Sequence, residues 1–119
     1  TDFKYSDLQL GKGVIREGET LTVSLTVANT GAMDGDEVVQ IYAAYMDSAV
    51  DRPVKALKGF KRVSIPAGKA VTVAIPVKAA DLAYWNVNKH AFVLEKGTIQ
   101  LMAGAASDDI RLAGMIRAE

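Results

Sequence analysis

His90 is the one histidine in the chain. A hydrolytic triad built on it would need a nucleophile and an orienting acid. Ser107 and Asp81 are present, but no spacing ties them to it, so His90 reads as a polar turn residue. Asp34, Asp36 and Glu37 set three carboxylates close together, as a calcium loop would. The further oxygens at fixed steps and the closing glutamate of such a loop are missing, and acidic residues favour turns for backbone reasons. Asp108 and Asp109 read the same way. A carboxylate pair could cleave a glycoside, one as acid and one as base or nucleophile. These carboxylates fall in turn-like stretches where nothing would raise a pKa. Gly11-Lys12-Gly13 lacks the length and the Lys-Ser/Thr ending of a phosphate loop. No catalytic residue, metal ligand or cofactor is therefore assigned.

Two other groups invite a binding reading. Arg52, Lys55, Lys58, Lys61 and Arg62 form a basic cluster. Pro53 and Gly59 oppose a helix there, and a nucleic-acid face would need interleaved exposed aromatics, for which only Phe60 is at hand. The cluster reads as a solvated or interface-lining strand edge; charged edges also discourage wrong strand pairing. Tyr84 and Trp85 could stack on a sugar ring, but such rings more often fill a core or a domain interface.

The scaffold that must carry these residues follows from composition and period. The 119 residues suit one domain, half of them apolar, and 14 basic residues balance 14 acidic ones. That balance gives no general attraction to nucleic acid or an anionic membrane. Cysteine is absent, which excludes disulfides and thiolate metal sites. No apolar run approaches the roughly 18 residues of a bilayer span. Neither a signal peptide nor an initiator methionine is present, so the chain reads as a fragment or processed piece.

The stretch from Glu37 to Ile65 organises the rest: an apolar strand over Glu37–Tyr45, a charged loop with Pro53, and a return strand over Leu57–Ile65. The first of these reads as buried on both faces near the centre of the fold. Leu57, Phe60, Val63 and Ile65 supply the apolar part of the second. Upstream, Phe3, Tyr5, Leu8 and Leu10 make an imperfect strand. Leu21, Val23, Leu25 and Val27 then alternate with Thr22, Ser24 and Thr26, the clearest strand pattern in the chain. Asn29 to Asp36 reads as a connection. Pro66-Ala67-Gly68 is a tight turn. Val71, Val73, Ile75 and Val77 alternate next, and Pro76 among them argues for a sheet edge or strand end. Ala79–Leu82, too short for an independent helix, is expected to form one helical or 3₁₀ turn crossing between sheets. A hairpin follows with its turn over Asn86–Lys89. Strands at Thr98–Ala103 and from Ile110 to Ile116 close the chain. Roughly seven to nine short strands with evenly spaced turns predict an all-β, immunoglobulin-like antiparallel sandwich.

Several runs carry a family resemblance: Gly35-Asp36-Glu37-Val38-Val39-Gln40-Ile41-Tyr42, then Arg52-Pro53-Val54-Lys55-Ala56-Leu57-Lys58-Gly59-Phe60. Phe3 with Tyr5-Ser6-Asp7-Leu8, Ala67-Gly68-Lys69, Asp81-Leu82 before Tyr84-Trp85, and Asp109-Ile110-Arg111-Leu112 extend it along nearly the whole chain. Together they resemble the C-terminal fibronectin type III-like domain of family-three glycoside hydrolases, the β-glucosidases and β-xylosidases. The resemblance implies a single non-catalytic domain over 1–119. Nucleophile and acid/base belong to preceding domains of the parent chain, which would be periplasmic or secreted. Partners are then the catalytic domains of the same chain, with carbohydrate as a second candidate and neither nucleic acid nor membrane. The loop from Met46 to Lys55 would lie toward the catalytic body. Arg52, Pro53, Lys55, Lys58 and Phe60 are the candidate interdomain contacts, and Tyr84 and Trp85 the candidate sugar-stacking pair. The rival readings are a carbohydrate-binding module, which needs exposed coplanar aromatics, and a free-standing surface or adhesion module.

Overall fold

The computed structural model describes residues 2–46 and 55–119. Among the described residues ten strands and one short helix follow one another: β1 (Phe3–Leu10), β2 (Val14–Ile15), β3 (Thr20–Asn29), β4 (Gly35–Tyr45), β5 (Ala56–Ile65), β6 (Ala70–Lys78), α1 (Ala79–Leu82), β7 (Tyr84–Asn86), β8 (Ala91–Val93), β9 (Gly97–Ala106) and β10 (Asp109–Ala118). They form a three-stranded sheet in the order β1-β3-β6, a five-stranded sheet in the order β2-β10-β9-β4-β5, and a separate β7-β8 hairpin. The all-β sandwich predicted by the alternating pattern is the fold observed.

The core follows from that alternation. Leu21, Val23, Leu25 and Val27 of β3 and Val73, Ile75 and Val77 of β6 point inward and are buried. From the opposite sheet Val39, Ile41, Ala43, Ile99, Leu101, Ala103 and Ile116 meet them in one cluster. A strand's side chains alternate faces, so each of these runs leaves its intervening residues on an outer face. Pro76 sits on β6, an edge of the three-stranded sheet, where a missing backbone donor is tolerated. The Pro66–Gly68 turn closes with a Lys69 N to Pro66 O bond of 3.0 Å, and Gly68 takes the left-handed φ of 72° that the turn requires.

Four expectations need correction. β2 was not apparent in the sequence, and it runs parallel to β10, with Val14 opposite Arg117 and Ile15 opposite Ala118. The sandwich is therefore antiparallel except at this edge. Next, β4 is an inner strand, paired with β9 on one side and β5 on the other, but it is buried on both faces over only part of its length. Both its faces are covered at Ile41, Tyr42 and Ala43, but Val38 is exposed. In β5 only Val63 and Ile65 pack inward; Leu57 and Phe60 face solvent. A register shift between Ile41 and Tyr42 pairs Ile41 with Gly59 and Tyr42 with Leu57. Lys58 is the extra residue of this bulge, and it turns Leu57 to the outer face.

Asn29 is the fourth correction. It ends β3 and is the one buried polar side chain among the described residues. Its Nδ2 donates to Ile65 O at 2.9 Å and Met33 O at 2.8 Å, and its Oδ1 accepts from Gly31 N at 2.9 Å. A residue that reads as loop chemistry thus joins the ends of the two sheets.

Candidate functional site

The two outer faces of the sandwich differ in kind. Outside the three-stranded sheet lie Lys4, Ser6, Thr22, Ser24, Thr26, Thr72 and Ala74, a surface of hydroxyls and methyls. Outside the five-stranded sheet, the register sets Leu57, Tyr42, Met102 and Ala113 in one row across four strands. Phe60 lies opposite Gln40 in the next row, and Met115 opposite Gln100 on the other side. Tyr42 and Met102 are each 8% exposed, so the centre of this face is packed. Phe60 at 67% and Met115 at 52% are open at its margins. The Tyr42 hydroxyl donates to Gln40 Oε1. Gly104, opposite Gln40, is required by a bulge: a Cβ there would fall 2.2 Å from the Asp109 carbonyl oxygen.

The predicted contact residues distribute around this face. Arg52 and Pro53 lie outside the described residues. Lys55 and Lys58 are half-buried near the start of β5, and Phe60 projects from the face itself. Arg62 is held by an ion pair to Asp36 at 2.7 Å. Leu57, Tyr42, Met102 and Met115 were missed as site residues. The alternation of Val38, Gln40 and Tyr42 marks them as one face, but a run of apolar residues hides which side stays uncovered.

Tyr84 and Trp85 sit on the β7-β8 hairpin, outside both main sheets. Asn86 shapes its turn, accepting from Asn88 N at 3.0 Å and Lys89 N at 3.1 Å, and donates to the Tyr84 hydroxyl at 3.1 Å. Trp85 is 51% exposed, so a core role for it is overturned. It meets Phe92 edge to face, ring centroids 5.2 Å apart at 73°. Rings at that angle do not make a flat platform. Phe92 also borders a small cavity of about 150 Å³ with Glu17, Gly18, Ala79 and Leu94.

Asp34, Asp36, Glu19 and Asp109 are tied to neighbours in the fold. Asp34 Oδ1 accepts from Ala67 N at 2.8 Å. Asp36 accepts from Ser64 Oγ and Arg62 Nη2, each at 2.7 Å, and these bonds hold its carboxyl below the usual value. Asp34, Asp36, Ser64 and Pro66 line an open depression of about 560 Å³. A backbone bond from Arg16, then Lys12, lowers Glu19 in the same way. Arg111 lowers Asp109 through a forked pair at 3.0 and 3.2 Å, and Asp109 raises Arg111 in return. Arg111 also lies over the Tyr5 ring, 5.0 Å from its centroid. Among the described residues, the Tyr5 hydroxyl is buried with no hydrogen bond of good geometry and with the Glu37 carboxylate as the acceptor within its reach. Burial, then the charge of Glu37, pushes its pKa up. His90 sits in the hairpin turn with a left-handed φ of 49°.

A sandwich of this topology, with one polar and one apolar outer face, defines an immunoglobulin-like module. The sequence profile of the family described as "Fibronectin type III-like domain" matches residues 37–107. Over 118 residues the chain is 36% identical to the probable beta-glucosidase K of Emericella nidulans, covering 98% of this chain and 13% of that protein. It is 35% identical to the thermostable beta-glucosidase B of Acetivibrio thermocellus over 98% of this chain and 16% of that one. The crystal structure of Beta-D-glucoside glucohydrolase from Trichoderma reesei superposes on the whole chain with a TM-score of 0.89 at 29% identity, using 19% of its own length. A GH3 beta-glucosidase from Bifidobacterium adolescentis gives 0.90 at 29% identity, covering 98% of this chain and 17% of that one. The chain belongs to the fibronectin type III-like domain family, in the form that family-three β-glucosidases carry. It spans less than a fifth of the length of each of these relatives.

Proposed function

We propose that residues 1–119 are one accessory domain of a longer family-three glycoside hydrolase, of β-glucosidase or β-xylosidase type, acting on plant-type oligosaccharides. In this reading the domain packs on the catalytic domains of the same chain and stabilises them, and it performs no bond cleavage itself. The observation that carries the proposal is the pattern of coverage. Relatives called β-glucosidases match this chain nearly end to end, while the chain accounts for 13% and 16% of two of them. The carboxylates add support. Glycoside cleavage needs one carboxyl kept protonated by a raised pKa. Asp36, Asp109 and Glu19 are all shifted downward by donors that brace the fold.

The test is removal of these residues from the parent enzyme. The shortened enzyme should melt several degrees lower, with KM for an aryl glucoside or xyloside nearly unchanged at a temperature where it is folded. Substituting Arg52, Lys55, Lys58 and Phe60 in the intact parent should act in the same direction. An unchanged melting temperature with lost substrate binding would sink the stabilising role. A carbohydrate-binding module is the second reading, favoured by the exposure of Trp85. Titrating the chain with xylan, cellulose and short oligosaccharides, followed by Trp85 fluorescence, separates the two. The stabilising role predicts no saturable change.

A further inference from the structure

We infer that the outer face of the five-stranded sheet, centred on Tyr42 and Met102 and bordered by Leu57, Phe60 and Met115, is the surface that seats a neighbouring domain of the same polypeptide. The inference rests on the accessory-domain reading and says which of the molecule's faces does the work. Three observations single this face out. Its row of Leu57, Tyr42, Met102 and Ala113 is apolar across four strands, whereas the opposite outer face carries Thr22, Ser24, Thr26 and Thr72 in the matching outward positions. Several of its polar groups are already paired: Tyr42 donates to Gln40, and Arg62 and Ser64 are tied to Asp36. Covering the face need not break these bonds, which lowers the cost of desolvating it. Last, its centre is closed to water while Phe60, Leu57 and Met115 stand open around it, leaving apolar area for a partner to cover.

Size decides the occupant. The row crosses three strand spacings and the patch spans about four residues along each strand, some 14 Å by 14 Å. That area, on the order of 200–400 Å², is well short of the roughly 800 Å² per partner that a stable association of separate molecules buries. A second copy of this chain has too little to hold. A tethered neighbour needs less, because the linkage supplies a high effective concentration. The relatives, of which this chain makes up 13–19%, have ample chain to provide one. The fitting partner presents an apolar patch to the row of Leu57, Tyr42, Met102 and Ala113.

The experiment compares two double variants in the parent enzyme and in the 119-residue chain. Phe60→Glu with Met115→Glu charges the apolar face; Thr22→Glu with Thr72→Glu charges the hydroxyl face. The first pair should lower the melting temperature of the parent by several degrees and let protease release a fragment the size of this domain. It should leave the melting temperature of the isolated chain within about a degree, since both side chains are exposed and surface changes are near neutral. The second pair should move neither protein. The seat is wrong if the first pair leaves the parent unchanged although deleting the domain destabilises it. An equal loss in the isolated chain would show that these residues serve its own fold, which also overturns the proposal. So would a concentration-dependent dimer of the chain that the first pair abolishes. A deletion without effect would instead remove the accessory-domain reading beneath it.

Discussion

The inner faces of the two sheets are alike and their outer faces are not. Inside, both sheets present aliphatic residues to one cluster, Leu25 and Val73 from one side, Ile41 and Leu101 from the other. Outside, β3 and β6 offer threonine and serine, while β4, β5, β9 and β10 offer tyrosine, phenylalanine and methionine. The strand period divides residues between faces equally well in both sheets. What differs is whether the outward set is suited to water, and that difference is where the molecule's business with other surfaces is recorded.

The likeness of the inner faces is the easiest part to break. Leu25→Ala and Leu101→Ala should each cost about 2–5 kcal/mol in chemical denaturation of the isolated chain. A small loss at one and a large loss at the other would mean that the two sheets do not share a core. Next in size is the stitch between them. Asn29→Ala removes three hydrogen bonds and leaves the Ile65 carbonyl without its side-chain donor, for an expected loss of about 2–3 kcal/mol. Asn29→Asp, which keeps the shape but not the donor, should be no better.

Tyr5 sharpens the comparison from the other direction, as a polar atom on an inner face. Among the described residues its buried hydroxyl has no hydrogen bond of good geometry and only the Glu37 carboxylate within reach, so Tyr5→Phe should cost less than the roughly 1 kcal/mol of an ordinary hydrogen bond at neutral pH. The folded state favours the neutral phenol. Its contribution is full below the ordinary value of 10.0 and is lost as pH rises beyond that. The variant should flatten this alkaline limb in thermal melts, and a wild-type limb that persists would assign the effect elsewhere. The smallest effect belongs to the rim of the apolar outer face. Asp36 is stabilised as the carboxylate by Ser64 and Arg62. Its contribution is present above the ordinary value of 3.8 and fades as pH falls through the lower folded value. Asp36→Asn should make the acid limb slightly shallower without moving the neutral melting temperature much.

Much of this architecture was legible in the residues. The alternation from Leu21 to Val27, the Pro66–Gly68 turn, Pro76 at an edge and the single helical turn at Ala79–Leu82 all stand where local chemistry sets them. The failures share a cause. Period tells which side chains lie together but not which sheet covers them, so Leu57 groups with Val63 and Ile65 as the apolar part of one strand although it faces the other way. A one-residue bulge at Lys58 is invisible without its partner strand. Asn29 looks like turn chemistry because its partners, Ile65 and Met33, are brought to it only by the fold. Trp85 is open for a related reason: three-residue strands outside the main sheets leave their rings little to pack against.

The short parallel pairing of β2 with β10 has a mechanical consequence. Arg117 N reaches Gly13 O at 2.9 Å and Glu119 N reaches Ile15 O at 3.0 Å. Because the strands run the same way, tension drawn out through Gly13 at one side and Glu119 at the other loads these bonds side by side. They must yield together, where an antiparallel pair pulled from its open end would unzip one bond at a time. A two-residue strand can thus act as a latch against tension along the chain.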